Sequence, residues 1–242
     1  MKNKFLLSLS AVLFSAILFS CATGSGVKKS EAYPEFYGEN PPASILIMPP
    51  INKTNNVDAK DYFYYTLPAA LANYGYYVYP ALLSMNTLQE NSAYDAELFL
   101  EGNVTRFKKN FGADLLLFTT ITEWQKHPVG GHVDVTVEYA LRSTTTGEFV
   151  YRRTGTFDCD TSFKTGLSGG GILGLVGLLA DTVGTAVKTA ATDYTTVARC
   201  CNYLTLSDIP YGKYSPGFGN DGESMSGVNP IKTSAKVSGV SD

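Results

Sequence analysis

From Val133 to Arg142 the chain alternates: Val133, Val135, Val137, Tyr139 and Leu141 fall on one side of an extended backbone, and Asp134, Thr136, Glu138 and Arg142 on the other. Successive strand side chains point to opposite faces, so this pattern calls for a β-strand with one buried and one wet face. Such a strand needs partners, and the flanking sequence supplies them. Asp114-Leu-Leu-Leu-Phe-Thr-Thr-Ile121 is the strongest strand signal in the chain, joined to the alternating run through the turn His127-Pro128-Val129-Gly130-Gly131. Thr146-Gly147 turns the backbone again into Phe149-Val150-Tyr151, which continues toward Phe157. The three strands read as an antiparallel meander.

Upstream, Ser44-Ile-Leu-Ile-Met48 is a continuous apolar run ended by Pro49-Pro50, the pattern of a strand covered on both faces. Asp58 is placed to cap a helix whose Phe63, Leu67, Ala70, Leu71 and Tyr74 recur at helical spacing, with Gly75 as its stop and Pro68 predicting a kink. Tyr76-Tyr77-Val78-Tyr79, closed by Pro80, is a second short strand, and strand–helix–strand with short joints predicts a parallel pair. Leu82 to about Phe111 reads as helical, interrupted near Asn91-Ser92 and closed by Gly112. A last helix is predicted from the spacing of Leu175, Leu179, Val183, Ala186, Val187, Ala190, Tyr194 and Val197, through about Tyr203. The expected fold is α/β: a mixed five-stranded sheet, parallel at its βαβ start and antiparallel in the meander, packed with helices, plus a C-terminal helix.

The N-terminus gives an address. Lys2 and Lys4 precede an apolar run from Phe5 to Phe19, and Ser20 then stands before Cys21. A positive start, a short apolar stretch and a small residue before a cysteine form the secretory signal of a lipoprotein, with Cys21 as the lipidated first residue of the mature chain. The run would span about 22 Å as a helix against the ~30 Å hydrocarbon core, so a retained transmembrane anchor is the weaker reading. Ala22, rather than aspartate, follows the cysteine; in a diderm host this favours the outer membrane, with the domain lipid-anchored on the periplasmic side. The expected organisation is a signal peptide over 1–20, a lipidated tether over 21–42, a single α/β domain over 43–210 and a flexible Gly/Ser-rich tail over 211–242.

The chemistry-bearing motifs are sparse. A net charge of −3 with 17% charged residues excludes the basic footprint of a nucleic-acid binder. Cys159, Cys200 and Cys201 lack the spacing of a metal site, although an exported chain permits a bridge from Cys159 to either of the other two. His127 and His132 stand in a hairpin with no third ligand at a recognisable spacing, and Asp158 and Asp160 read as a solvated strand edge. The glycine-rich run Gly169 to Gly177 lacks the Gly-Lys-Ser/Thr of a phosphate cradle, and no Gly-x-Ser-x-Gly elbow occurs. No catalytic residue, metal ligand or cofactor is assigned. Two contact regions remain: the apolar Ile172, Leu173, Leu175, Val176 and Leu179, suited to core packing, to a partner protein or to membrane insertion, and a possible ligand crevice at the carboxyl ends of the parallel strands around Asn52 and Pro80.

Five motifs in order carry a resemblance: Pro49-Pro50-x-Asn52, Gly75-Tyr76-Tyr77-Val78-x-Pro80, Phe111-Gly112-Ala113-Asp114, Gly169-Gly-Gly-Ile-Leu-Gly174 and Tyr211-Gly-x-Tyr-x-Pro216. From about Pro42 to Pro216 the chain resembles a family of uncharacterised bacterial lipoproteins, commonly encoded beside a lipoprotein similar to the curli secretion channel. The resemblance implies a fold similar to the periplasmic domain of that secretion lipoprotein and to the N-terminal domain of TolB. It also implies a role in an envelope assembly, with other envelope lipoproteins as partners. It carries over no catalytic residue, and the chain departs from the pattern in its Gly/Ser tail and in Cys200-Cys201. The expected function is therefore a membrane-anchored, non-enzymatic accessory subunit of an envelope transport or secretion assembly, with a periplasmic binding module for a small ligand or cell-wall fragment as the alternative.

Overall fold

A computed structural model of the chain describes residues 26–127, 131–161 and 194–237. In chain order the described elements are α1 (Lys29–Ala32), a 3-10 turn (Pro34–Phe36), β1 (Ser44–Ile47), β2 (Ile51–Asn52), α2 (Ala59–Asn73), β3 (Tyr77–Val78), α3 (Ala81–Glu90), α4 (Glu97–Leu100), α5 (Arg106–Phe111), β4 (Leu115–His127), β5 (His132–Ser143), β6 (Phe149–Asp160), α6 (Tyr194–Thr205), a second 3-10 turn (Leu206–Asp208) and β7 (Ile231–Lys236).

The strands form one mixed sheet in the order β3-β1-β4-β5-β6-β7, with β2 paired to β4 beyond the end of β1. β1 runs parallel to both β3 and β4, and β4, β5 and β6 are the antiparallel meander. Among the described residues seven strands are present where five were expected. Proline cannot donate a ladder hydrogen bond, so Pro49-Pro50 breaks the first strand; the chain then rejoins β4 as β2, with Ile51 opposite Thr120. The seventh strand lies in the expected tail and pairs parallel to β6 from Gly155↔Ile231 to Asp160↔Lys236.

Helices cover both faces of the sheet. On one, Phe63, Leu67 and Leu71 of α2 and Val197 and Cys201 of α6 pack with Ile45, Ile47, Leu117, Val135 and Val137. On the other, Leu88, Phe99 and Phe107 of α3–α5 pack with Leu46, Met48, Leu116 and Phe118. β1 and the start of β4 are thus sealed on both sides, which is why they read as unbroken apolar runs. A buried polar relay ties the layers together: Tyr139 Oη donates to Asn202 Oδ1, Asn202 Nδ2 donates to Thr66 Oγ1 (2.8 Å), and Thr66 Oγ1 donates to the Tyr62 carbonyl (2.6 Å).

Arg142 departs from the wet face assigned to it. Its guanidinium is buried under α4, where Nη1 donates to the carbonyls of Phe99 (2.9 Å), Leu100 (3.0 Å) and Gly102 (2.8 Å) and Nε to that of Gly147 (2.9 Å). The carbonyls at the end of a helix have no partners of their own, and the arginine supplies them. Of the last predicted helix the described part is Tyr194–Thr205; the remainder lies outside the described residues.

Candidate functional site

The densest polar chemistry lies where the two ends of the chain meet on the domain. The inward register of β6 runs Tyr151, Arg153, Gly155, Phe157, Cys159, so it places an arginine at a core position, 2% exposed. Arg153 Nη1 donates to Asp208 Oδ2 (2.7 Å) and to the Gly227 carbonyl (2.9 Å), and Nη2 donates to the Val228 carbonyl (2.7 Å). Asp208 also accepts the Tyr33 hydroxyl at Oδ2 (2.6 Å) and the Gly227 amide at Oδ1 (2.9 Å). Burial, reinforced by the hydrogen bond to Asp208, pushes the Tyr33 hydroxyl up to about 12.

A second pair continues the network. Lys29 Nζ lies 3.3 Å from Asp221 Oδ2 and 4.0 Å from Asp208 Oδ1. Asp221 accepts the Tyr37 hydroxyl (3.0 Å) and the Tyr211 amide (3.2 Å). Two cations and two carboxylates, all buried, so balance one another and bind residues 29–37 to residues 208–228 and to the sheet. Main-chain hydrogen bonds run alongside: Lys29 N–H to Ser224 O (2.8 Å), Ser30 N–H to Gly222 O (3.1 Å) and Ser226 N–H to Val27 O (2.8 Å), with an antiparallel bridge between Lys28 and Met225. The stretch expected to be a tether is therefore fixed to the domain from its seventh residue past Cys21, and the expected tail folds as far as Val237.

Two of the motifs meet on the same side. Tyr76 Oη donates to the Pro210 carbonyl (2.7 Å), Gly212 N–H to Tyr74 O (2.8 Å) and Tyr214 N–H to Gly75 O (2.9 Å). Gly75 has φ +84, and a Cβ there would stand 2.3 Å from the Ser215 nitrogen, so only glycine fits. Phe111-Gly112-Ala113-Asp114 is likewise a local clamp. Gly112 takes the left-handed cap of α5, and Asp114 Oδ2 accepts the Ala43 and Ser44 amides (3.0 Å each) and the Ser44 hydroxyl (2.9 Å). Burial would raise the Asp114 carboxyl, but the hydrogen bonds from Lys108, Ala43 and Ser44 outweigh it and hold the group below its usual range.

The other candidate residues divide plainly. Cys21 and the apolar Ile172, Leu173, Leu175, Val176 and Leu179 lie outside the described residues. Val78 lies opposite Ile45 and Ile47 opposite Leu117, so Pro80 follows β3 level with Leu117, whereas Asn52 lies opposite Ile121, four strand residues or about 13 Å further along the sheet. The Asn52 side chain is spent within its own loop, accepting from Thr54 N–H (3.0 Å) and Oγ1 (2.8 Å) and donating to Asn56 O (2.7 Å). His127 Nε2 is 2.8 Å from Asp134 Oδ2 and His132 Nδ1 2.7 Å from Asp158 Oδ1. The bond to Asp158, with neighbouring carboxylates, raises the His132 imidazole above its ordinary value.

Cys159, Cys200 and Cys201 are brought together as free, buried thiols. Burial pushes Cys200 up to about 12 and Cys201 well above the ordinary thiol value, the opposite of what activates a nucleophile. Among the described residues no group of three or more His, Cys, Asp or Glu is placed to hold a metal ion, and no helix is long and apolar enough to cross a membrane. The Arg153–Asp208 and Lys29–Asp221 pairs were missed in the sequence. One signal for them was present: an arginine in the inward register of an otherwise apolar strand.

The family model described as "Putative lipoprotein GNA1162-like" matches residues 32–211, a span that begins at the end of α1 and closes at Tyr211. The lipoprotein NMB1124/NMB1162 of Neisseria meningitidis serogroup B is 32% identical over 88 residues, 36% of this chain and 41% of that protein, so the match spans under half the length of the curated relative. Among solved structures, lipoprotein GNA1162 from Neisseria meningitidis is 25% identical with a TM-score of 0.47, covering 59% of this chain and 95% of that one. The PelC dodecamer from Paraburkholderia phytofirmans is 16% identical with a TM-score of 0.39, covering 77% and 92%. The LpoB C-terminal domain from Salmonella enterica is 19% identical with a TM-score of 0.35, covering 54% and 95%. With the family model spanning the described domain from α1 to the Tyr211 motif, the chain belongs to the GNA1162-like family of lipoproteins.

Proposed function

We propose that this protein is a lipid-anchored accessory subunit of a cell-envelope transport or secretion assembly. Acylated Cys21 holds it in the outer membrane on the periplasmic side, and it works by contact rather than by catalysis. Family membership supplies the lipoprotein character, and one observation carries the rest. The domain is bound to its own N-terminal segment from Lys28 onward, seven residues after Cys21 (28 − 21 = 7), which is a reach of at most about 25 Å. A domain held that close to a bilayer, with its buried acids and bases consumed in internal pairs, is equipped to present a surface at the membrane.

Two measurements test this. Fatty-acid labelling should mark the wild-type chain and fail on Cys21→Ser, while Cys159→Ser labels normally; label persisting in the Cys21 variant refutes the anchor. Crosslinking in intact membranes at native expression should recover other envelope lipoproteins. Recovery of monomer alone counts against the subunit role and leaves the anchor standing.

A further inference from the structure

We infer that the cavity beside the Arg153–Asp208 pair is a binding site for a small organic carboxylate with a short apolar body. The site goes beyond the accessory role and does not depend on the lipid anchor. The cavity has a volume of about 480 Å³, within the range of small-molecule sites, and is lined by Arg153, Asp208, Val228, Pro230, Ile231 and Lys232. Arg153, 2% exposed, is its floor.

The class of ligand follows from the donors left over. Nη1 of Arg153 is committed to Asp208 and to the Gly227 carbonyl, and Nη2 to the Val228 carbonyl, but the Nε N–H is buried with no acceptor among the described residues. A buried donor without a partner is costly, and a ligand oxygen that accepts it removes the cost. Asp208 does not cancel the attraction for an anion, because its carboxylate already accepts Arg153, the Tyr33 hydroxyl (2.6 Å) and the Gly227 amide (2.9 Å), with Lys29 at 4.0 Å. Its charge is spent inside the network. Lys232 is exposed at the rim and enters no ion pair among the described residues, so the unbalanced charge at the cavity is positive. An N–H at the floor and an ammonium at the rim suit a carboxylate better than a neutral acceptor. An inorganic anion would use both groups and leave Val228, Pro230 and Ile231 wet; an apolar body on the ligand covers them.

The test is NMR on the full-length, detergent-solubilised chain, read at the Nε–H resonance of Arg153 and at the methyl groups of Val228 and Ile231. The probe is hexanoate, with hexanamide as its neutral counterpart and sodium chloride as the control for ionic strength. Hexanoate should move the three sets of signals together and saturably, whereas neither hexanamide nor chloride should. Lys232→Gln, a change at an exposed residue that leaves the fold intact, should weaken hexanoate about fivefold, the scale of one exposed ion pair. An Arg153 resonance unmoved at about 10 mM hexanoate, where a millimolar ligand is nearly saturating, would overturn the site. Equal shifts with hexanamide would overturn the selection for charge on which the inference stands. Shifts that chloride reproduces would reduce the effect to screening and overturn it as well. Each of these failures leaves the anchor and the subunit role untouched.

Discussion

Substituting Asp208 by Asn keeps the side-chain volume and removes one charge from the network that joins the chain ends to the sheet. The Asp208 side chain is 7% exposed and that of its partner Arg153 is 2% exposed, so the guanidinium left behind stays buried with carbonyls but without a counter-charge. Removing one member of a buried, hydrogen-bonded pair costs about 3–5 kcal/mol, because the remaining charge is uncompensated in a medium that solvates it poorly. Lys29, 4.0 Å from Asp208 Oδ1, loses part of its own compensation and adds to the effect. Against the ~5–15 kcal/mol total stability of a domain, this is a large fraction, equal to a change of two orders of magnitude or more in the folding equilibrium.

The assay is urea unfolding of the detergent-solubilised protein followed by circular dichroism, with the midpoint falling and the slope unchanged. Trypsin should at the same time cut faster at Lys28 and Lys29, since Lys29 is 9% exposed only while its network holds it. Replacing the pair together, Arg153→Met with Asp208→Leu, should recover part of the loss, because it leaves no unpaired guanidinium although the Tyr33 hydroxyl and the Gly227 amide still lose their acceptor. If Asp208→Asn and Arg153→Met each shift stability by less than about 1 kcal/mol, a value typical of exposed pairs, the network is not the buried clasp described above.

Other expectations can be measured independently. Gly75→Ala and Gly212→Ala should each destabilise by about 2 kcal/mol or more in the same melts, because the new Cβ meets Ser215 N at 2.3 Å in one case and Gly75 O at 2.5 Å in the other; wild-type midpoints in both would refute the close contact of the two motifs. The His132 imidazole, stabilised as the cation by Asp158, should titrate in NMR above the ordinary histidine value, keeping its charge as pH rises through 6.5 and losing it only higher; Asp158→Asn should bring the midpoint down. Cys159, Cys200 and Cys201 should be inert to a thiol reagent in the folded protein and react together on unfolding; a fast-reacting thiol would contradict their burial. Tyr33, raised to about 12 by burial and Asp208, should stay un-ionised as pH passes 10, and the stability linked to it should decline only between there and its folded value.

What the sequence disclosed about this fold follows the range of the interactions involved. The run Ser44–Met48 and the alternation over β5 are local patterns, and each reads correctly because a strand's own neighbours decide which of its faces is wet. Arg142 misled because the cover on its face is α4, some 40 residues away in the chain. β7 was concealed by composition. Six glycines, six serines and two prolines among residues 211–242 outweigh the faint alternation of Ile231, Thr233 and Ala235 against Lys232, Ser234 and Lys236. That alternation becomes a strand only because β6 offers it a ladder.

The N-terminal segment is the extreme case. Lys29 has no sequence neighbour that accounts for it, since its carboxylate is 192 residues away, and nothing local separates a lysine that solvates a tether from one that fastens it. Arg153 is different, and shows what a stricter reading of the pattern can yield. The period-two register of β6 puts an arginine among Tyr151, Phe157 and Cys159, and a guanidinium cannot lose its charge to suit such a place. A buried guanidinium therefore needs acceptors from elsewhere in the chain: Arg142 finds them in the carbonyls of Phe99, Leu100 and Gly102, and Arg153 in Asp208 and the carbonyls of Gly227 and Val228. The inward register of β5 consists of Val133, Val135, Val137, Tyr139 and Leu141 and offers none. The partners of Arg153 have to be brought to the sheet by chain outside the meander, and residues 208–228 bring them.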